Sequence, residues 1–222
     1  MSATLLHIDA SPRRRSLSRA VADEFVAEWT GRGGPVLRRR LAEQPVPHIT
    51  EAWTEICDNL MADQITQIDR LHEGVRTPAQ RQAWDVLAPL LDEVLAADVV
   101  LISTPMHNYS VPSNLKAWLD QITFPRMDLR PRRFVVVVAR GGEYGPGTPK
   151  ERVEHQVTYL SDFLEGHFGV QRPAVIAVEL TNSIVDPHLA ARRADHERSL
   201  REARAHARDL AALMVQEMAV AR

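Results

Sequence analysis

The sequence predicts an α/β fold, a three-layer sandwich in which helices cover both faces of a five-stranded parallel sheet. Short apolar runs alternate with helix-like segments along the chain, and that alternation is typical of strand–helix–strand units. Residues 135–138 are all valine, and a strand that is apolar on both sides is typical of the centre of a parallel sheet. The predicted strands are residues 4–8, 35–41, 99–103, 134–139 and 174–179.

The helices between these strands begin at residues that cap helix N-termini. Thr77, followed by proline and then by Gln80, predicts a capping box. Residues 148–151 repeat that arrangement, and Asp186 with the proline after it marks the start of the last helix. These signals predict helices that connect one parallel strand to the next.

Two more helices are predicted from length and composition. Residues 43–76 are longer than a simple connection requires, so they predict an added helix. Its candidates for burial are Trp53, Ile56, Leu60 and Ile65. Residues 199–218 are rich in Ala, Arg, Leu and Glu, which favours a long C-terminal helix.

Five parallel strands with helical connections fit the flavodoxin-like strand order 2-1-3-4-5, through right-handed crossovers. Neither a repeat nor a low-complexity linker interrupts the pattern, so residues 1–222 are predicted to form a single domain. In this strand order the ligand crevice lies beyond the carboxyl ends of strands 1 and 3. The loops after those strands are therefore the candidate site.

Composition excludes several functional classes. The net charge of −2 gives no indication of nucleic acid or of an anionic membrane as a partner. The one cysteine, Cys57, provides no disulfide within the chain, and no apolar run approaches the ~20 residues of a membrane span. A strand begins within four residues of the N-terminus, which leaves no room for a signal peptide. We expect a cytoplasmic protein.

The first loop has the features of a phosphate site. Residues 11–18 read Ser-Pro-Arg-Arg-Arg-Ser-Leu-Ser and lead into a helix that begins near Ser18. The hydroxyls of Ser16 and Ser18, the free N–H groups of a helix start and three arginines all favour an anion. Serine before a helix is otherwise a simple cap. The loop matches neither the P-loop pattern nor the G-x-G-x-x-G dinucleotide pattern.

Two more loops favour a planar ring as the rest of the ligand. Residues 104–109 follow the third strand, and prolines at 105 and 112 stiffen the backbone there. His107 by itself is more typical of a structural polar residue than of a catalyst. Residues 139–147 follow the fourth strand, and adjacent Gly141 and Gly142 allow a close backbone approach. The three loops together indicate a mononucleotide site, most plausibly for a flavin. No metal-ligand pattern is present in the sequence.

At these loops the sequence resembles the FMN-dependent NADH:azoreductase family, which is related to the NAD(P)H:quinone reductases. Residues 105–109 are similar to the family pattern P-M-Y-N-F, with a helix carrying L-K and D after it. Residues 140–142 match its R-G-G loop, and residues 16–18 match its S-x-S phosphate loop. The resemblance covers nearly the whole chain.

The resemblance implies a homodimer that reduces quinones, azo compounds or a related aromatic acceptor through FMN, with NADH or NADPH as donor, by ping-pong hydride transfer. It implies no obligatory protein acid or base, because the flavin supplies the chemistry. The implied cofactor-binding residues are Ser11, Ser16, Leu17 and Ser18 at the phosphate; Pro105, Met106, His107, Asn108 and Tyr109 at the ring and ribityl chain; and Ala139, Gly141 and Gly142, with Arg140 between them, at the ring edge.

The sequence departs from the family pattern at three places. His107 replaces the usual tyrosine, Ala139 replaces the usual serine, and residues 123–133 are shorter than the segment that helps to cover the flavin in relatives. The short segment predicts a more open ring site. Alternatively, the short segment shapes the site for a different electron acceptor. It also motivates one alternative function, a flavodoxin-like binding module without redox activity; an NAD(P)H:FMN reductase that supplies reduced flavin is a further alternative.

Overall fold

The computed structural model describes residues 2–220; Met1, Ala221 and Arg222 of the predicted domain lie outside the described residues. The sheet has the predicted order β2-β1-β3-β4-β5, and every pairing is parallel. Each strand begins and ends within two residues of its predicted bounds. The strands are β1 Leu5–Asp9, β2 Val36–Arg40, β3 Val99–Pro105, β4 Arg133–Ala139 and β5 Ala174–Val178.

Helices connect these strands and cover both faces of the sheet. The α-helices are α1 Leu17–Gly31, α2 Glu51–Ala62, α3 Pro78–Leu95, α4 Ser113–Ile122, α5 Gln156–Phe168 and α6 Arg193–Val220. Four 3₁₀ segments lie between them, at Ile68–Gly74, Glu151–Val153, Thr181–Ile184 and Pro187–Arg192. Among residues 2–220, none of the helices combines the length and the apolar character that crossing a membrane requires.

The core consists of two apolar layers, one on each side of the sheet. Side chains alternate along a strand, so Leu5 contacts one layer while Leu6 contacts the other. Helices α1 and α6 cover the first layer, where Trp29 is fully buried. Helices α2 to α5 cover the second layer, where Trp118 and Phe168 are fully buried. The three-layer sandwich is confirmed.

The added helix is present as α2. Ile56 and Leu60 on this helix are buried, and so is Ile65 just beyond it. Trp53 is only half-buried, because its indole N–H reaches the carbonyl of Gln121 at 3.2 Å near the surface. Most of the predicted apolar face therefore packs into the second core layer.

The capping signals succeed where the cap is local. Thr77 and Gln80 form the predicted capping box, with both reciprocal hydrogen bonds at 3.2 Å. The start predicted at residues 148–151 is wrong. Helix α5 begins at Gln156, because the carboxylate of Glu154 accepts bonds from the first N–H groups of that helix at 2.9–3.1 Å. Asp186 caps the 3₁₀ segment Pro187–Arg192, and α6 begins directly after it.

Candidate functional site

The loops after β1, β3 and β4 meet around a cavity of about 380 Å³ at the carboxyl edge of the sheet. The register places the strand ends side by side, with Pro105 opposite Ala139 and Ala139 opposite Val178. This is the crevice where parallel α/β sheets bind ligands, and its volume is in the range of small-molecule sites. Its lining residues are Ser11, Pro12, Arg13, Arg15, Ser16, Leu17, Ser18, Pro105, Met106, His107, Ala139, Gly141, Thr181, Asn182, Ile184 and Val185.

The start of α1 forms the hydroxyl-lined end of the cavity. Ser16 is the N-cap of the helix, and its Oγ accepts a bond from the N–H of Arg19 at 3.2 Å. The Oγ atoms of Ser16 and Ser18 lie 3.1 Å apart, and both side chains are buried together with that of Ser11. The first-turn N–H groups and the dipole of α1 favour a negative charge here.

The loop of residues 11–15 is held by a buried ion pair beneath it. Asp9, at the end of β1, is 2% exposed, and its Oδ1 accepts a bond from the N–H of Ser11 at 3.0 Å. Its other carboxylate oxygen pairs with Nε of Arg19. The terminal nitrogens of Arg19 donate to the carbonyls of Ser11, Arg13 and Arg14 at 3.0–3.3 Å. One guanidinium therefore binds a carboxylate and three backbone carbonyls of a single loop.

A buried histidine lies beside this ion pair. His7 is 3% exposed, and its Nε2 is 3.0 Å from Oγ of Ser103, which in turn donates to Asp9 at 3.4 Å. Burial lowers the pKa of His7 to about 4, because the charged ring loses its hydration. The imidazole is neutral at pH 7, so it serves as a hydrogen-bonding group under the site.

The loop after β3 closes in a two-residue hairpin. His107 and Ser110 exchange both backbone hydrogen bonds, at 3.0 and 2.9 Å. Asn108 and Tyr109, at the tip, have φ of 49° and 68°, the left-handed backbone of a type I′ turn. Pro105, Met106 and His107 line the cavity. Asn108 and Tyr109 do not line it, and Tyr109 is 49% exposed. Their contact with a ligand stays a prediction.

The loop after β4 presents backbone to the cavity. Ala139 and Gly141 line the cavity, whereas Arg140 and Gly142 do not. The side chain of Arg140 is buried and pairs with Glu179 at 3.3 Å and, more distantly, with Glu154 at 3.9 Å. Burial raises the pKa of the Glu179 carboxyl, an effect that the charge of Arg140 opposes. Arg140 therefore anchors the loop from behind.

The fourth wall comes from the 3₁₀ segment after β5, which the sequence analysis missed. Backbone N–H groups of residues 180–182 donate to the carbonyls of residues 140–142 at 2.9–3.1 Å. A Cβ on Gly141 would lie only 2.6–2.8 Å from the side-chain amide of Asn182, so a larger residue here would force that side chain to move. Ile184 and Val185 are 43% and 76% exposed at the rim. In the sequence, the aliphatic residues 184 and 185 shortly after the last predicted strand were the signal that could have revealed this wall.

Residues 123–133, the short segment, contribute nothing to the cavity lining. Phe124, Met127 and Leu129 in this segment are instead buried in the second core layer. The more open ring site that the short segment predicted stays a prediction. Among residues 2–220, no group of His, Cys, Asp and Glu side chains could hold a metal ion.

The fold and the cavity together define a flavodoxin-like protein with a mononucleotide-type site. One end offers hydroxyls, a helix N-terminus and two arginines, and the other end offers apolar side chains and backbone. Hydroxyls, helix N–H groups and arginines are groups that bind anions, and apolar side chains with exposed backbone are typical of sites for planar rings. The chain belongs to the family whose model is described as a flavodoxin-like fold, which matches residues 3–203.

Curated relatives cover nearly the whole chain. The chain is 57% identical to a protein of Nocardia farcinica named FMN-dependent NADH:quinone oxidoreductase, over 93% of this chain and 97% of the relative. It is 38% identical to a protein of the same name from Parafrankia sp., over 94% of this chain and 98% of the relative.

Solved structures show the same fold at low sequence identity. An FMN-dependent NADH-azoreductase from Bacillus anthracis, solved in complex with FMN, superimposes with a TM-score of 0.71 at 20% identity, over 94% of this chain and 99% of that one. A second azoreductase structure from Bacillus anthracis gives 0.72 at 18% identity, over 95% and 99% of the two chains.

Proposed function

We propose that this chain is an FMN-dependent NADH:quinone oxidoreductase, with azo compounds and related aromatic molecules as further acceptors. The observation that carries the proposal is the cavity that joins a hydroxyl-lined helix start to an apolar, backbone-lined end at the switch point of the sheet. The name of the 57% identical relative supports the same activity. The chain would work as a single FMN-binding domain.

In this proposal the start of α1 binds the phosphate of FMN. Ser11, Ser16 and Ser18 donate hydroxyl hydrogens, and the N–H groups of Leu17 and Ser18 point along the helix dipole. The hydroxyl of Ser16 accepts the N–H of Arg19, and its oxygen lies 3.1 Å from that of Ser18, so one of these two hydroxyl hydrogens bridges the pair and the other is available to an anion. Arg13, at the cavity wall, adds a positive charge.

The isoalloxazine ring would be held at the other end of the cavity, by Pro105, Met106 and His107 and by the adjacent residues Ala139 and Gly141. When bound, FMN accepts a hydride from NADH and delivers reducing equivalents to the quinone. The backbone carries the polar contacts to the ring edge, since Gly141 has no side chain in the way. Asn108 and Tyr109 hold the hairpin tip, while Arg140 and Gly142 shape the loop from outside the lining.

We propose further that the protein is a cytoplasmic homodimer. Ile184 and Val185 at the rim and Tyr109 at the hairpin tip are exposed apolar groups that a second copy would cover. Sedimentation velocity at micromolar concentration tests this assembly, with a monomer as the contradicting result.

The proposed activity is tested by titrating the purified protein with FMN and recording the visible spectrum before and after anaerobic NADH. We expect a bound flavin band near ~450 nm, the general position for flavins, that bleaches with NADH and returns when a soluble quinone is added. A bleached flavin that leaves the protein on each turnover would favour the FMN reductase instead. Failure to bind micromolar FMN would contradict both and favour the binding module.

A further inference from the structure

A buried carboxylate lies at the end of β1, directly before the loop of the proposed phosphate site. Asp9 is 2% exposed and binds the N–H of Ser11, a residue of the cavity wall. A phosphate bound beside Ser11 would be repelled by an uncompensated charge on Asp9, because the buried carboxylate is poorly screened by water. Compensation of the Asp9 charge therefore favours phosphate binding.

Arg19 supplies that compensation from outside the cavity. Its Nε pairs with Asp9, and its side chain is only 16% exposed. Its terminal nitrogens reach three loop carbonyls: that of Ser11 at 3.0 Å, and those of residues 13 and 14 at 3.1 and 3.3 Å. These contacts orient the carbonyl oxygens toward the guanidinium. Their partial negative charge would otherwise repel an anion. Arg19 itself is absent from the residues that line the cavity.

We propose that Arg19 is a positioning residue for the cofactor phosphate. It neutralises Asp9 and fixes the backbone of residues 11–14 so that N–H groups and hydroxyls, not carbonyls, face the anion. Only a planar guanidinium has enough donors, in a fixed fork, to bind the carboxylate and three carbonyls together. The inference rests on the proposed function, because it takes FMN as the ligand.

The test compares FMN with riboflavin, which has the same ring and ribityl chain but no phosphate. We expect Arg19→Gln to raise the Kd of FMN by about tenfold or more, with the Kd of riboflavin within about twofold of wild type. Arg19→Lys keeps the charge but not the forked set of donors, so its FMN affinity should lie between that of wild type and that of Arg19→Gln. Arg32→Gln, at the other end of α1 and paired with Glu28, is the matched control and should change neither Kd. Equal losses for the two flavins, or no loss, would overturn the proposal.

A rescue variant separates positioning from folding. Asp9→Asn removes the charge that Arg19 compensates, and the asparagine oxygen can still accept the Ser11 N–H. We expect the double variant Asp9→Asn/Arg19→Gln to bind FMN at least threefold more tightly than Arg19→Gln; an unimproved Kd would overturn the neutralising role. If Arg19→Gln does not fold, the double variant is compared with Asp9→Asn alone. A loss confined to FMN supports the role of Arg19 in fixing the loop backbone, and equal Kd values overturn that role. Wild type that fails to bind FMN would refute the proposed function instead.

Discussion

Acidification should destabilise this protein through His7 before most carboxylates titrate. The ring is buried beside Ser103, and burial lowers its folded-state pKa to about 4 from the ordinary 6.5. As the pH falls below 6.5, His7 binds a proton in the unfolded chain but stays neutral in the folded chain. Stability is therefore complete above the unfolded pKa and is lost progressively as the pH falls toward 4.

The size of the loss follows from the two pKa values of His7. A difference between 6.5 and about 4 corresponds to roughly 3 kcal/mol once both states are protonated, at ~1.36 kcal/mol per unit. Between pH 7 and pH 5 the linkage relation gives about 2 kcal/mol of that total. A loss of this size is a large fraction of the stability of an ordinary domain.

Urea unfolding of wild type and of His7→Gln, at pH 7, 6 and 5, measures the effect. Glutamine can keep a hydrogen bond to Ser103 but cannot titrate, so the free energy of unfolding of the variant should fall by about 2 kcal/mol less over this range. His48→Gln, on an exposed loop, is the control and should follow wild type. Parallel pH dependences for wild type and His7→Gln would refute the assignment of a neutral buried ring.

Two further predictions concern the cavity. Replacing Ser16 and Ser18 by alanine should weaken FMN binding by about 1–3 kcal/mol in total, because each change removes a hydrogen bond to a charged group. Fluorescence titration with FMN measures this loss. An unchanged Kd would contradict the assignment of the phosphate to these two serines. Gly141→Ala should weaken FMN binding as well, because the new Cβ lies 2.6–2.8 Å from Asn182 and displaces that side chain within the cavity wall. Gly142→Ala is the control, because the atom nearest to a Cβ at this position is the flexible tip of a lysine at 3.0 Å. The Kd of FMN should be higher for Gly141→Ala than for Gly142→Ala. Equal Kd values would show that the Asn182 contact is unimportant.

Local signals made much of the fold predictable from the sequence. The all-valine run of β4 and the alternation of strands and helices indicated a parallel sheet, and Thr77 with Gln80 marked the start of α3. These features act over a few residues, through hydrogen bonds and side-chain periodicity that sequence displays directly. The flavodoxin-like order then placed the loops after β1, β3 and β4 at one edge, where the cavity lies.

The structure decided what depends on contacts between distant segments. The cap that Glu154 forms on α5 spans only two to four residues, but the ion pair of this carboxylate with the buried Arg140, at 3.9 Å, joins it to the loop after β4. The type I′ turn carries Asn108 and Tyr109 away from the cavity that their neighbours line. The wall of residues 181–185 exists because backbone bonds dock it on the β4 loop, about 40 residues earlier in the chain. Sequence alone determined the type of sheet and the edge where the cavity lies; which side chains line that cavity was decided by tertiary hydrogen bonds, since no local pattern encodes them.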